Sequence, residues 1–355
     1  MRIVMGILAL CSSLWLGACA PASPPKAQPA SGTLYVVNED SDSLSVVDTA
    51  ADAVVATVQV GKLPRGIGLS PDGKLVYVAL GEENKLAVLD ASDNRIVATI
   101  PTGKDPQGVA VSMDGRRAYV SNYETNDVSV LDLEARKPLA SIPVGVNPQA
   151  LAMSWDGSTV YVVNLRSNSI SAIDAASGKV KSTIPAGEGP CGIALTADGR
   201  YAYVGGHGGM GGMKGMGAAG GEAAMAGKDG MAGKEPAAKM ASNREVRVLD
   251  LDNREAVGSI GCGTMPVAIA LSPDARAYVA NHGSHNISVV DLPSKNVIST
   301  IAVGKDPYGL ALAKNGSYLY VANRDSNEVS VIDTGSLKVV ASIPVGQGPR
   351  GLALK

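Results

Sequence analysis

The sequence of 355 residues contains no phenylalanine and only two tryptophans, and its formal net charge is −2. Because there is no basic excess to neutralise a phosphate backbone, we expect no nucleic-acid partner. The sequence also lacks a Gly-x-Ser-x-Gly motif, a Cys-x-x-Cys-His motif and a phosphate-binding glycine loop between a strand and a helix. It therefore carries no signature of serine-hydrolase, c-type haem or nucleotide chemistry.

Hydrophobic residues make up 45% of the chain, and there are 42 glycines. This apolar fraction is enough for a folded core and excludes a wholly disordered protein. Because valine and isoleucine dominate and aromatic residues are few, the composition predicts short strands joined by tight turns rather than helices.

The N-terminus has the pattern of a secretory signal, with Arg2 followed by an apolar run from Ile3 to Leu16. That run is too short to cross a bilayer comfortably. It ends in Leu-Gly-Ala-Cys at 16–19, which resembles the bacterial lipobox. The resemblance implies a signal peptide over 1–18 and lipid on Cys19, which anchors the protein without a transmembrane helix. The alternative is an ordinary signal cut nearby.

Residues 19–32 form a segment rich in proline and alanine, which predicts a semi-extended tether between the membrane and the folded body. Residue 20 is alanine, which in Gram-negative lipoproteins is consistent with export to the outer membrane. We therefore expect a monomeric outer-membrane lipoprotein of the bacterial envelope, facing the periplasm or the cell surface.

After the tether the sequence repeats seven times. The repeat is marked by a tyrosine that recurs at intervals of 42 residues, with one interval of 75, at Tyr35, Tyr77, Tyr119, Tyr161, Tyr203, Tyr278 and Tyr320. Each unit holds four apolar segments of four to six residues separated by turn residues. Four short strands in about 40 residues form one propeller blade. The chain is therefore predicted to be an all-β, seven-bladed β-propeller with four antiparallel strands per blade.

The repeats carry Tyr-Val-Ser-Asn at 119–122 and Tyr-Val-Val-Asn at 161–164, which resemble the YVTN family of β-propeller repeats over residues 33–355. The chain begins on a tyrosine strand and ends on a strand of the innermost type. We therefore expect the C-terminal strand to complete the N-terminal blade and close the ring.

An aspartate at one position of every blade is expected to serve the turns, so function should lie where the blades differ. Strand alternation places the residue after each recurring proline at one end of the channel, which we call the upper face. The residues at this position are Arg65, Gln107, Gln149, Cys191, Val267, Tyr308 and Arg350. Of these, Arg65, Gln107, Gln149, Tyr308 and Arg350 are predicted to bind an anionic or polar ligand at the channel mouth. The alternative is a solvated rim without a ligand.

Soft metal ligands also gather on the upper face. His207 and His282 hold equivalent positions in adjacent blades, with His285 three residues later, and an insertion at about 205–243 leaves from the loop that carries His207. The predicted ligand set is His207, His282, His285, Cys191, Cys262, Met210, Met213 and Met216. Thioether, thiol and imidazole favour Cu(I), then Cu(II) or Zn(II). The alternatives are a plain low-complexity linker and, for the cysteines, a disulfide, against which ideal strand spacing argues.

The sequence thus favours a non-enzymatic binding or scaffold module with a protein or polymer partner on the upper face and copper as the candidate cofactor. The alternative is an enzyme or redox accessory at the channel mouth. Seven-bladed lactonases and the haem-carrying propeller of nitrite reductases resemble this architecture and show that it can carry such chemistry, but the channel positions offer no matching acid, base or metal set.

Overall fold

The computed structural model describes residues 32–208 and 244–355. The predicted signal peptide, the lipidation site Cys19, the tether up to residue 31 and the methionines Met210, Met213 and Met216 lie outside these residues. Nearly all regular structure in the described part is β-strand, arranged as seven four-stranded antiparallel sheets. The prediction of a seven-bladed, all-β propeller is therefore confirmed.

We number the blades from the one that holds both ends of the propeller. Blade 1 consists of β28 (Pro349–Leu354), β1 (Thr33–Asn38), β2 (Ser43–Asp48) and β3 (Ala53–Gln59). Blades 2 to 4 consist of β4 (Pro64–Leu69), β5 (Leu75–Leu80), β6 (Lys85–Asp90), β7 (Ile96–Pro101); β8 (Pro106–Val111), β9 (Arg117–Asn122), β10 (Asp127–Asp132), β11 (Lys137–Pro143); and β12 (Pro148–Met153), β13 (Thr159–Asn164), β14 (Ser169–Asp174), β15 (Lys179–Pro185). Blades 5 to 7 consist of β16 (Pro190–Leu195), β17 (Tyr201–Gly206), β18 (Glu245–Asp250), β19 (Glu255–Gly261); β20 (Pro266–Leu271), β21 (Arg276–Asn281), β22 (Asn286–Asp291), β23 (Asn296–Ala302); and β24 (Pro307–Leu312), β25 (Tyr318–Asn323), β26 (Glu328–Asp333), β27 (Lys338–Pro344).

The ring closes in blade 1, where the C-terminal strand β28 pairs antiparallel with β1. Leu34 lies opposite Leu354 and Tyr35 opposite Ala353, and the Lys355 amide donates to the Thr33 carbonyl at 2.9 Å. This pairing hides the strand edge that an open sheet would expose, as the sequence predicted. Two 3-10 turns, His282–Ser284 and Arg324–Ser326, follow β21 and β25. No helix in the described ranges is long and apolar enough to cross a membrane.

The core is divided among the interfaces between blades. In one cluster, Tyr35 of blade 1 packs with Val76 and Val78 of blade 2, and all three are buried. The seven repeat tyrosines are all buried. Burial raises the pKa of Tyr320 to about 12. The flat ring of each repeat tyrosine therefore fills the wedge between two neighbouring sheets, which is the packing that a propeller requires.

The recurring aspartates serve the turns, as the sequence predicted. Asp48, for example, accepts the Ala50 amide at 2.8 Å, and Asp90 accepts the Ser92 amide at 2.8 Å. Local side-chain acceptors of this kind hold a turn closed. These carboxylates are therefore engaged in blade structure.

A buried asparagine ends the second strand of five blades and donates through Nδ2 to a buried serine on the next strand. Asn164 and Ser171 of blade 4, at 2.9 Å, are one such pair. Blade 2 instead holds Leu80 and Ala87 at the same positions, so an apolar pair also fits this site.

Asn164→Leu is expected to lower the free energy of unfolding by about 1–3 kcal/mol because the Ser171 hydroxyl loses its buried donor. The double variant Asn164→Leu/Ser171→Ala copies blade 2 and should recover part of that loss. Urea unfolding of the two variants measures the difference. A double variant no more stable than the single one would show that the buried serine does not matter.

Candidate functional site

The upper face is the end of the channel at which the innermost strands begin. Three residues of every blade meet there: the residue before the proline that opens the innermost strand, the residue after that proline, and the residue that follows the next strand. The first of these has a left-handed backbone, as Asp105 (φ 52°) and Asp306 (φ 53°) illustrate. We call this region the upper mouth, and it is where the blades differ most in chemistry.

Arg350 of blade 1 lies at the centre of the upper mouth. Its guanidinium donates to Glu39 at 2.9 Å, to Gln107 at 3.0 Å and to the Tyr308 hydroxyl at 3.1 Å, and it lies over the Tyr308 ring at 4.8 Å. Burial alone would lower the pKa of Arg350, but the oxygens of Tyr308 and Glu39 raise it above its ordinary value. Because Gln107 and Tyr308 belong to blades 3 and 7, this one side chain links three blades.

Glu39 is the acidic partner of three arginines. Arg350 lies 2.9 Å from its carboxylate, and Arg65 and Arg324 lie 3.5 Å from it. Only 8% of the Glu39 side chain is exposed. Burial alone would raise the pKa of Glu39, but Arg350, Arg65 and Arg324 lower it below its ordinary value. The carboxylate therefore stays ionised and holds the arginines together.

Arg65 connects blade 2 to blade 3. Its Nη1 donates to Gln107 at 3.2 Å, and its Nε lies 3.3 Å from Asp105. A Cβ on Gly81 would come within 3.0 Å of Arg65 Nε and 3.1 Å of Asp105 Oδ1, so glycine makes room for this contact. Burial raises the pKa of Asp105 in spite of the neighbouring Arg65.

Next to the charged half of the upper mouth lies a pair of histidines. The rings of His207 and His282 are 6.4 Å apart between centroids, and the His282 ring meets the edge of Tyr308 at 6.0 Å. The Nδ1 atoms of both histidines are buried and make no hydrogen bond within the part of the chain that the structure describes. Burial, followed by the charges of His282 and Arg350, lowers the pKa of His207 to about 4. His207 is therefore neutral at physiological pH.

His285 lies at the rim beside this pair. Its Nδ1 accepts the Asp306 amide at 3.1 Å, so the neutral ring carries its proton on Nε2. Asp306 also lies 3.9 Å from His282 Nε2. A hydrogen bond with Asp306, together with burial, raises the pKa of Asp325. This side of the rim therefore carries two neighbouring carboxyl groups, those of Asp306 and Asp325.

Cys191 and Cys262, the two cysteines within the described residues, are free thiols in different environments. Cys191 is buried and points to carbonyl oxygens at 3.6–3.9 Å, and burial raises its pKa to about 12. Cys262 packs in the core between blades 5 and 6, where burial raises its pKa to about 11. Both thiols are thus protonated at neutral pH. Within residues 32–208 and 244–355, no group of three His, Cys, Asp or Glu side chains is arranged to hold a metal ion.

The structure brings together four of the five predicted mouth residues, Arg65, Gln107, Tyr308 and Arg350. For Gln149 the contact is through its main-chain oxygen, which accepts the Ser121 hydroxyl. Only 13% of the Arg350 side chain and 19% of the Arg65 side chain are exposed, because both arginines are paired within the upper mouth.

Sequence reasoning missed Glu39, Arg324 and Asp105. The signal was present, because Glu39 and Arg324 follow their Tyr-Val-x-Asn segments at the same position as His207 and His282. Comparing that position for every residue type, rather than for histidine alone, would have found the acid that holds the arginines.

Two family profiles match the chain. The profile of the YNCE-like beta-propeller family matches residues 20–200, and that of the lactonase, 7-bladed beta-propeller family matches residues 244–352. No curated protein matches it.

Several solved structures resemble the whole propeller. Kuenenia stuttgartiensis hydrazine synthase is 20% identical with a TM-score of 0.72, covering 90% of this chain and 99% of that chain. A functionally unknown protein from Desulfotomaculum acetoxidans is 16% identical with a TM-score of 0.72, covering 91% and 99%. The dihydro-heme d1 dehydrogenase NirN, in complex with DHE, is 16% identical with a TM-score of 0.63, covering 94% and 77%. At these identities the likeness concerns the fold.

Proposed function

We propose a function for this chain from the premise that it belongs to the YNCE-like beta-propeller family. It is a non-enzymatic binding module of the bacterial envelope, built from YVTN-type repeats, and its ligand site is the upper mouth. Lipid on Cys19 anchors it to the outer membrane, and its partner is a protein or polymer that docks on the upper face.

One observation carries this proposal: within residues 32–208 and 244–355, the buried Nδ1 atoms of His207 and His282 have no hydrogen-bond partner at the mouth of the channel. Buried polar atoms normally have a partner, and a concave site with unpaired polar atoms is where a ligand supplies one. The adjoining Arg350, Gln107 and Tyr308 are fixed by hydrogen bonds to one another. The site is therefore held in shape before a ligand arrives.

The chemistry of the mouth favours an uncharged polar ligand. The positive charges of Arg65, Arg324 and Arg350 are already matched by Glu39, Asp105 and Asp40. His207 is neutral and Tyr308 offers an aromatic ring. The mouth is therefore suited to hydroxyl or amide groups that exchange hydrogen bonds with the histidines and pack against the ring. An amide- or hydroxyl-rich segment of a protein or polymer has these groups.

Photo-crosslinking in intact cells tests the proposal. A photoreactive phenylalanine at Tyr123 or Leu165, which occupy the same position in their blades as His207, should give a discrete adduct. The same group at Ser317, in a turn at the opposite end of the channel, is the matched control. Adducts from Ser317 alone would place the binding surface elsewhere and contradict the proposal.

Copper binding is a second candidate, favoured by the approach of His207 and His282 to 6.4 Å. Metal–nitrogen bonds of about 2 Å allow two such rings to share one ion. Cu(I) would take one nitrogen from each ring, and the methionines of the insertion are soft ligands of the kind that it prefers.

Cu(I) titration against a competing chelator is expected to show binding that is lost when 208–241 is deleted and weakened at least tenfold in His282→Gln, because a ligand bond is removed. His285→Gln, at the rim, is the matched control. Equal affinity in the unaltered protein, the deletion variant, His282→Gln and His285→Gln would eliminate a copper site at this face.

The remaining alternative is an enzyme or redox accessory at the same mouth. Asp105, whose pKa burial raises, and the neutral His207 are groups that acid–base chemistry uses. The lactonase match over 244–352 and the likeness in fold to the dihydro-heme d1 dehydrogenase NirN motivate assays of lactone hydrolysis and haem binding. Hydrolysis that disappears in Asp105→Asn would favour the enzyme over the binding module.

A further inference from the structure

The strand directions fix the end of the propeller from which the N-terminal segment leaves. β1 runs toward the upper mouth, since Glu39 directly follows its last residue. Its other end lies at the opposite, lower face, where the Gly32 carbonyl accepts the Thr49 amide at 3.0 Å. Gly32, to which the N-terminal segment is joined, therefore lies at the lower face, away from the candidate site.

The same lower face exposes two large apolar side chains in neighbouring blades. Trp155 is 62% exposed and Met113 is 59% exposed, each at the tip of the turn that joins the first two strands of its blade. The two turns adjoin, since a Cβ on Gly157 would contact the Met113 side chain at 4.0 Å. Exposed Arg116 lies three residues after Met113 in the same turn, and Asp114 between them accepts the Arg116 amide at 3.0 Å. An indole and a thioether beside a cation are side chains suited to the interface between lipid headgroups and water.

We propose that the lower face rests on the lipid surface, with Trp155 and Met113 in the headgroup region and the upper mouth directed away from the membrane. This inference rests on the proposed lipid attachment at Cys19. Only 12 residues separate Cys19 from Gly32, so the tether reaches about 40 Å at most. Such a short tether keeps the lower face close to the lipid at a high effective concentration, at which weak interfacial contacts suffice.

Tryptophan fluorescence provides a direct test. The chain has two tryptophans, and cleavage before Cys19 removes Trp15, which leaves Trp155 as the single emitter. The acylated protein would be inserted into phosphatidylcholine and phosphatidylglycerol vesicles with and without brominated acyl chains. We expect brominated lipid to quench Trp155 emission about twofold, with a blue shift, because the ring lies at the interface.

The matched control moves the tryptophan to the upper face, in Trp155→Phe/Tyr123→Trp, and should show no quenching. Flotation of the vesicles separates the two claims. Protein that floats with an unquenched Trp155, or with equal quenching at both positions, overturns the orientation and leaves the anchor standing. Protein that does not float overturns the lipid attachment and this inference with it.

Discussion

Replacing Arg350 by methionine is expected to lower the free energy of unfolding by about 3–5 kcal/mol, since one partner of a buried ion pair is removed. The change deletes the hydrogen bonds to Glu39, Gln107 and Tyr308 and leaves the Glu39 carboxylate buried with two more distant arginines. Arg350 also lies on β28, the strand that closes the ring, so the loss falls on the closure of the propeller. Urea unfolding followed by circular dichroism measures it.

A double-mutant cycle with Glu39→Gln isolates the pair. We expect the double variant to be more stable than the sum of the single losses implies, by about 1–3 kcal/mol, because each single variant strands its partner. Lys62→Met removes an exposed ion pair with Asp42 and should leave the unfolding midpoint unchanged. If Arg350→Met behaved like Lys62→Met, the upper mouth would not be a connected buried cluster.

The second large effect is a loss of stability in acid that depends on His207. The pKa of His207 is about 4 in the folded protein, below its ordinary value of 6.5. The unfolded chain therefore binds more protons between these values, and stability falls as the pH falls from 6.5 to 4. A shift of this size corresponds to about 3 kcal/mol. Unfolding free energies measured at pH 7 and pH 4 give the loss.

His207→Gln should remove most of this pH dependence, because glutamine does not bind a proton in either the folded or the unfolded state. Glu39, whose pKa is lowered, loses its contribution in acid in both proteins, so the difference between them reports on His207. The half-exposed His285→Gln serves as the control and should keep the full acid loss. An unchanged pH profile in His207→Gln would mean that the ring is solvated at the mouth.

The fold could be predicted from the sequence because its information is periodic. A repeat of 42 residues fixes the number of blades, and the strand types at Thr33 and Leu354 fix the closure. The same turn residues also recur in every blade. An ambiguous strand assignment in one blade is therefore resolved by comparison with the other six. Periodicity of this kind is the sequence signature of solenoids and propellers.

The candidate site was only partly predictable because it depends on how far side chains reach across the mouth. Position in the repeat places Arg350 and Gln107 on the same ring, but their contact joins blades 1 and 3 past the intervening blade. Arg65 of the intervening blade lies against Asp105, in space that the missing side chain of Gly81 leaves open. The position of a residue within the repeat does not reveal such packing. It also could not show that Cys191 points into the core.

Histidine-selective and tryptophan-selective NMR tests the central claim, that binding occurs at the upper mouth, most directly. The chain holds three histidines, all on the upper face, while Trp155 lies on the lower face. With ¹⁵N in both residue types, envelope extract is predicted to shift or broaden the ring signals of His207 and His282 and to leave the Trp155 indole signal unchanged. A Trp155 signal that moves while the histidine signals stay fixed would contradict the account.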